Sequence, residues 1–246
     1  NSALDLYSNI FTMKTILHKA DTRGHANHGW LDARHSFSFA NYYNPERISF
    51  GALRVLNDDS IQPNKGFGKH PHDNMEIITI PLEGKVLHRD SMGHEEFLHA
   101  GEVQVMSAGK GIFHEEYNGS KTELLKLLQI WIEPAEYNIE PTYSQTVFEA
   151  ENALNKWQTL VGPIGESLLE INQTAFISRV FLSEGTEINY QKKVHGNASY
   201  LFIVEGGIIA NNQKVNKRDA LGVVDFENIN IKALQDSHII NIEIPY

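Results

Sequence analysis

The chain has 246 residues, of which 41% are hydrophobic and 21% charged, the balance of an ordinary folded protein. Its 21 Lys and Arg residues against 31 Asp and Glu residues give a net charge of -10. This balance argues against direct nucleic-acid binding, because no basic surface is available to displace counterions. The absence of cysteine excludes disulfides, zinc–thiolate sites, iron–sulfur clusters and cysteine nucleophiles. The 12 histidines are the compositional feature that points to chemistry.

The first segment, residues 1–12, has neither the basic start nor the apolar run of a signal peptide, and Met13-Lys14 follows it. We interpret residues 1–12 as a remnant of an expression tag and leave them out of the fold. No later stretch approaches the ~18 apolar residues of a membrane span. We therefore expect a cytoplasmic protein that does not interact with membranes.

Short apolar or alternating runs, separated by turn residues, dominate the rest of the chain. They include Ile48–Val55, Met75–Leu82, Glu102–Met106 and Leu124–Ile132. This pattern is typical of an all-β sandwich or barrel. The best helical periodicity spans Phe148–Leu160 and predicts a short connecting helix.

A weak internal sequence repeat suggests two domains. The segment Ile77–Val86 and the segment Tyr200–Ile208 both read as a strand, then Glu-Gly, then another strand. The polar, proline-containing stretch Glu133–Pro141 has the composition of a linker. We predict β domains at about residues 13–140 and 145–246, with one irregular sandwich as the alternative.

The strongest chemical motif is His70-Pro71-His72. Residues i and i+2 of a strand project from one face, so both imidazoles can lean onto one ion. Pro71 favours a strand start or edge, because it cannot donate a ladder hydrogen bond. Glu76 lies on the same face as His72 if the strand is unbroken.

A second cluster, His114-Glu115-Glu116, follows about 42 residues later. His114 and Glu116 share a face, and the preceding Gly109 and Gly111 allow a sharp turn that brings this strand beside the first pair. The convergent groups are then His70, His72, Glu76, His114 and Glu116. Imidazoles with a carboxylate and no sulfur suit Fe(II), Mn(II), Ni(II), Co(II) or Cu(II), and less often Zn(II). Four protein ligands on a six-coordinate ion leave two positions open, for substrate and for water or dioxygen.

These motifs, taken together, resemble the pirin family of the cupin superfamily. The resemblance rests on the segments Trp30–Pro45, Gly66–Glu76, Leu82–Gly84, His88–Gly93, Met106–Glu116 and Leu128–Trp131. It is dense from about Arg23 to Pro134 and faint beyond. It implies two tandem cupin β-barrels (jelly rolls), of which the second is degenerate.

The family resemblance also implies a ligand set. One metal ion, usually iron, would be held in the first barrel by His70, His72, His114 and Glu116, with Glu76 beside the site. The second half departs from this pattern: only His195 lies near the position of the histidine pair, and Lys193 or Lys192 stands at its partner position. We expect no metal there.

The activity implied by the resemblance is cleavage of a flavonol such as quercetin by dioxygen. Glu116 or Glu76 would accept the proton of the substrate hydroxyl. The alternatives are a non-enzymatic, metal- or redox-responsive regulator that binds a protein partner, and a cupin isomerase or sugar-binding module. We expect a monomer, because two fused barrels already cover one another's faces.

The remaining histidines are interpreted as structural. We expect His88, His94 and His99 at the surface, His25, His28 and His35 in structural hydrogen bonds, and His195 and His238 at the surface or hydrogen-bonded. Trp131, Phe37 and Phe39 are expected in the core, although one of them could line the pocket.

Overall fold

A computed structural model describes residues 13–246, so the interpretation of residues 1–12 as a tag remnant lies outside the described residues. The described chain is built from twenty strands and two short 3-10 turns. The strands are β1 Lys14–His18, β2 Gly24–Asn27, β3 Leu31–His35, β4 Leu53–Ile61, β5 Gly66–His72, β6 Glu76–Glu83, β7 Lys85–Asp90, β8 Glu95–His99, β9 Glu102–Ser107, β10 Ile112–Asn118, β11 Leu125–Ile132, β12 Thr142–Val147, β13 Gln158–Pro163, β14 Leu169–Ile171, β15 Phe176–Leu182, β16 Glu187–Gln191, β17 Asn197–Ala210, β18 Gln213–Asn216, β19 Ala220–Val224 and β20 Asn228–Pro245. The turns are Ala20–Thr22 and Ala150–Ala153. The all-β prediction is confirmed, and residues 13–246 include no helix long and apolar enough to cross a membrane.

The predicted connecting helix at 148–160 is wrong. Only Ala150–Ala153 forms a 3-10 turn, and β13 already begins at Gln158. Asn155 adopts a positive φ of 54°, which ends any helical path, and its side chain accepts a hydrogen bond from the backbone N–H of Ser183 at 2.8 Å. Of the apolar residues that suggested a helix, Phe148 is buried whereas Leu154 is exposed, so they do not share one buried face.

The first unit consists of two antiparallel sheets. A seven-stranded sheet runs in the order β12-β9-β6-β11-β4-β3-β2, and a four-stranded sheet runs β5-β10-β7-β8. An apolar cluster that includes Val86, Leu98 and Leu125 fills one part of this unit, and a smaller cluster around Ile77 and Met106 lies elsewhere in it.

The second unit is one nine-stranded sheet in the order β1-β19-β17-β20-β15-β13-β14, with β16 on β20 and β18 on β17. The two long strands, β17 and β20, pair with register shifts between residues 203 and 208. Such irregularities bend a strand and let a sheet curl over its own core. The apolar core enclosed here includes Tyr190, Leu201, Ile203 and Phe226.

A large apolar cluster joins the two units. It contains Phe50, Ile78 and Leu128 from the first unit together with Tyr200 and Ile242 from the second. The backbone also comes close at this contact: the N–H of Ala52 donates to the carbonyl of Pro245 at 3.0 Å, and a Cβ on the neighbouring Gly51 would meet that same oxygen.

The strand pairings also run across the predicted domain boundaries. Strand β1 pairs with β19 of the second unit, and β12, at residues 142–147, pairs with β9 of the first. The boundaries at 140 and 145 stay a prediction.

Candidate metal centre

Three histidines converge between two strands of the four-stranded sheet. His70 and His72 lie on β5, His114 lies on β10, and the antiparallel register places His114 opposite His70. The ring centroids are 4.4 Å apart for His70 and His114, 4.8 Å for His72 and His114, and 4.9 Å for His70 and His72. One ring nitrogen from each lies within 4.8 Å of the other two. The convergence predicted for these three residues is confirmed.

The local sequence explains this arrangement. Strand β5 is the edge strand of its sheet, where the missing N–H of Pro71 disturbs no neighbour. Gly109 and Gly111, with φ of 48° and 137°, form the turn before β10. A Cβ on Gly109 would approach the carbonyl oxygen of Ile139, so this close passage of two backbones requires glycine.

The hydrogen bonding of the imidazoles fits a divalent ion. Both ring nitrogens of His114 are buried and have no hydrogen-bond partner among the described residues. The Nδ1 of His70 bonds to the carbonyl of Gly68 at 2.7 Å, which leaves its Nε2 free to ligate. A carbonyl that fixes one nitrogen of a ligand imidazole is a common feature of metal sites.

The electrostatics also favour ligation. Burial lowers the pKa of His72 to about 4 and that of His114 to about 3, and the adjacent imidazoles repel the extra proton further. Both rings are therefore neutral at physiological pH. The neutral imidazole is the form that binds a metal.

Glu116 lies beside His114 but apart from the other two imidazoles. A carboxylate oxygen of Glu116 lies within 4.8 Å of ring nitrogens of His114 and His88. The cluster of His70, His72 and His114 does not include it. Glu116 is buried and accepts hydrogen bonds from Thr79 Oγ1 at 3.2 Å and Gln129 Nε2 at 2.8 Å. A register shift between His114 and Glu116 in the β5–β10 pairing accompanies this offset.

Glu76 was predicted on the face of His72 only for an unbroken strand, and the structure does not meet that condition. The strand is interrupted at residues 73–75, where Asn74 takes a φ of 46°, so the parity of β5 does not continue into β6. The Glu76 carboxylate accepts a hydrogen bond from Ser107 Oγ at 2.5 Å. Burial raises its pKa, while hydrogen bonds from Ser107 and from the backbone of Asn172 oppose that rise. Ile77, not Glu76, lines the histidine cavity.

His88 is the residue whose place the sequence interpretation missed. It was expected at the surface, yet it is fully buried, with its ring 5.4 Å from that of His114 and 4.7 Å from that of Tyr143. Its Nε2 bonds to Asp90 Oδ2 at 3.1 Å, and the same oxygen bonds to His94 Nδ1 at 2.8 Å. The alternation of Val86 and His88 along β7 was the signal that could have placed it inside.

The other histidines largely follow expectation. His99 is exposed, and His35 bonds through Nδ1 to Asn57 Oδ1 at 2.8 Å. His195 is exposed. His238 differs: it is half-buried, and its Nε2 has no hydrogen-bond partner among residues 13–246.

Two neighbouring spaces adjoin the histidines. A small inner cavity of about 70 Å³ has apolar walls that include Phe39, Phe67 and Trp131. An outer cleft of about 430 Å³ begins at His72 and Trp131, which line both spaces. Trp131 and Phe39 therefore line the pocket, whereas Phe37 is buried in the core between the units.

The inner cavity also contains a carboxyl group that the sequence did not single out. Asp59 is buried, and its Oδ1 has no hydrogen-bond partner within the described chain. Burial raises the pKa of Asp59 to about 8, and the nearby carboxylates of Asp58 and Glu116 add to the rise. A bound cation would act in the opposite direction on this group.

Two stacked β units, of which the first holds a three-histidine centre at a cavity, define a bicupin with one candidate metal site. Family models agree: "Pirin" matches residues 17–132, and "Quercetinase C-terminal cupin domain" matches residues 159–244.

Related proteins cover almost the whole chain. Quercetin 2,3-dioxygenase of Escherichia coli (strain K12) is 44% identical over 229 residues, which are 93% of this chain and 98% of that protein. A pirin-like protein of Caulobacter vibrioides is 39% identical over 91% of this chain and 96% of its own length. The crystal structure of the bacterial pirin YhhW from Escherichia coli in complex with nickel(II) is 43% identical, with a TM-score of 0.88 over 94% of this chain and 99% of that one. The chain belongs to the pirin family.

Proposed function

We propose that this protein is a metal-dependent dioxygenase that cleaves a flavonol of the quercetin type. The observation that carries the proposal is the set of three converging imidazoles around the small cavity, with the buried nitrogens of His114 left without partners, and with His72 also lining an aromatic-walled cleft. The quercetin 2,3-dioxygenases among its relatives support the substrate class.

The two spaces suit two parts of the reaction. The outer cleft, at about 430 Å³, falls in the range that holds a drug-sized molecule, and its walls include Phe113 and Trp131. The inner cavity, at about 70 Å³, admits only a small group. A planar phenol would therefore stack at Trp131 with its reacting edge toward His72, while its body stays in the outer cleft.

His70, His72 and His114 would hold the ion, with Glu116 as the fourth predicted ligand. A bound divalent ion would supply Lewis acidity toward the substrate hydroxyl and a place for dioxygen beside it. Glu116 is the better of the two predicted bases, because Glu76 hydrogen-bonds to Ser107 outside the histidine cavity. Gln129 and Thr79 fix the Glu116 carboxylate next to His114, where it would accept the hydroxyl proton.

We infer iron(II) as the resident ion. The nitrogen-rich donor set supports it but also accommodates Mn, Ni, Co, Cu or Zn, and the nickel(II) complex of the related YhhW shows that a member of the family accepts another divalent ion. Elemental analysis of protein purified without added metal, followed by reloading with each ion, tests this assignment.

The activity is tested by oxygen uptake and carbon monoxide release with quercetin on iron(II)-loaded protein. We expect turnover well above that of the same concentration of free iron(II), with one carbon monoxide released per dioxygen consumed. The matched control is the His114→Ala variant, which keeps the substrate cleft but loses a buried ligand. Turnover by the folded, loaded wild type no faster than free metal would refute the proposal.

A further inference from the structure

A second cavity, of about 480 Å³, lies between the two units. The first unit contributes apolar side chains such as Ile80 and Phe148, and the second contributes Arg179, Phe181 and His238. It shares no lining residue with either space at the histidine centre. Pockets at domain interfaces are frequent sites of small-molecule binding.

Arg179 is a buried cation at this cavity without a partner carboxylate. Its residue is only 5% exposed, and no carboxylate of the described residues lies within salt-bridge distance of it. Its Nε donates to Gln158 Oε1 at 2.8 Å and its Nη2 to the carbonyl of Phe148 at 2.5 Å, both neutral acceptors. Its Nη1 makes no hydrogen bond within residues 13–246. Burying a charge without a counter-ion is costly, so this arrangement favours an anion.

The other cations around the cavity are already paired. Arg218 bonds to Asp58 at 3.1 Å, and Lys126 bonds to Glu83 at 2.9 Å. Glu205 at the rim bonds to Lys217 at 2.7 Å. The exposed carboxylate of Glu149 also lines the cavity and attracts Arg179 electrostatically, but it lies beyond salt-bridge distance. Arg179 is therefore the cation of the lining that lacks an ion pair within the described residues.

His238 is a second polar group at the same place. Its Nε2 is buried without a partner in the described chain, and its ring lies 4.4 Å from that of Phe181. The Arg179 guanidinium lies over the same Phe181 ring, 5.4 Å from its centre. Burial and the two nearby arginines lower the pKa of His238 to about 3, so the ring is neutral and offers one N–H.

We propose that this interdomain cavity binds a small organic anion, namely a carboxylate attached to an apolar, aromatic body. The carboxylate would accept hydrogen bonds from Arg179 Nη1 and the His238 ring. The body would pack against Phe181, Ile80, Phe148 and Val204. One charged guanidinium nitrogen and one neutral imidazole N–H supply two donors, one for each oxygen of a carboxylate, and the apolar walls favour an aromatic acid over an inorganic ion.

Calorimetric titration of metal-loaded protein with benzoate tests the proposal, with benzyl alcohol as the neutral probe of the same shape. We expect benzoate to bind and benzyl alcohol to bind much more weakly. Arg179→Gln should weaken benzoate binding by about tenfold or more, because a hydrogen bond to a charged group is lost. Lys126→Gln, a paired cation of the same cavity, should change it within about twofold.

A further variant separates this cavity from the metal centre. His114→Ala should bind benzoate as the wild type does, since a carboxylate bound to the metal would be lost with the metal. If Arg179→Gln does not fold, His238→Leu serves in its place and should also weaken binding. No binding by the wild type, equal binding of benzyl alcohol, binding retained in the folded Arg179→Gln or His238→Leu variant, or binding lost in His114→Ala would each overturn the proposal.

Discussion

The two β units enclose different interiors. The interior of the first holds imidazoles, a carboxylate and amides around a small cavity, including His70, His114, Glu116 and Gln129. The interior of the second is filled by side chains such as Leu201, Ile203, Phe226 and Ile239, all 2% exposed or less. Neither unit has disulfides or a helical layer among the described residues.

Buried carboxylates show the same contrast. In the second unit, Glu243 accepts hydrogen bonds from Tyr190 Oη at 2.8 Å and from the backbone N–H groups of Lys193 and Val194 at 3.0 and 2.8 Å. These partners come from the stretch that replaces the histidine pair. In the first unit, Glu116 bonds to side chains and faces His114. The Glu243 carboxylate holds the backbone of residues 193 and 194, whereas the Glu116 carboxylate lies next to the candidate ligand His114.

The largest effect is expected from His114→Ala. Loss of this buried ligand should remove most of the bound metal and lower quercetin turnover by more than about 100-fold, since even partners outside the ligand shell cost 10–100-fold. The fold should persist, because the imidazole makes no hydrogen bond within the described chain. Elemental analysis and circular dichroism measure the two quantities. One ion per chain in His114→Ala would show that the ligand set is wrong, and His195→Ala is the matched control with unchanged metal content.

Substitutions in the core of the second unit should change the stability of the protein and not its metal content. Tyr190 is 2% exposed, packs on Trp157 at 5.1 Å and donates to Glu243. Tyr190→Ala should lower the free energy of unfolding by about 3–5 kcal/mol through the cavity it leaves. The metal content of the remaining folded protein should not change. Tyr190→Phe isolates the hydroxyl and should cost about 1–3 kcal/mol; a loss of metal in either variant would contradict the separation of roles.

Glu116 and Glu76, the two candidate bases, should differ in their effect on metal affinity, by less than the effect of His114→Ala. Glu116→Gln should weaken metal binding by roughly 10–100-fold, because the anionic oxygen beside His114 is lost. Glu76→Gln should leave metal affinity within about twofold, since Ser107 and the contact between the units hold that side chain. Competition with a chelator measures both affinities. A larger loss of metal affinity in Glu76→Gln than in Glu116→Gln would show that Glu76, not Glu116, is the carboxylate at the metal.

The convergence of the three histidines was predictable because its signals are local. Spacing of two in a strand orients His70 and His72 together, and the glycine turn before His114 brings the second motif beside them. Glu76 was misplaced for the same reason, because parity holds only along an unbroken strand. The break is made by Asn74, which is left-handed between β5 and β6, and Asp73-Asn74 is the turn signal in the sequence that marks it.

Other features depend on contacts far apart in the chain. The alternation of Val86 and His88 along β7 is a local signal of burial, but the residues that cover the His88 ring come from β10 and from Tyr143, far along the chain. Strands β1 and β12 likewise pair across the predicted boundaries, with strands that lie about 200 and 40 residues away along the chain. Arg179 and His238 meet only because β15 and β20 pair. Single-sequence patterns carry no information on such pairings.

The smallest expected effect concerns the contact between the units. His18 of β1 bonds through Nδ1 to Tyr200 Oη at 2.9 Å and packs against Phe37 of the first unit. Burial lowers its pKa to about 4, and Arg47 contributes. Since the folded pKa lies below the unfolded value of about 6.5, the stability that His18 contributes is present above pH 6.5 and is lost as the pH falls toward 4.

Replacing His18 by leucine should reduce the loss of unfolding free energy between about pH 7 and pH 5 by about 1 kcal/mol, after allowance for partial exposure. Urea unfolding of both proteins at the two pH values gives this difference directly, because the other buried histidines titrate in both and cancel. Parallel pH dependence of the wild type and His18→Leu would mean that this contact between the units does not depend on a neutral imidazole.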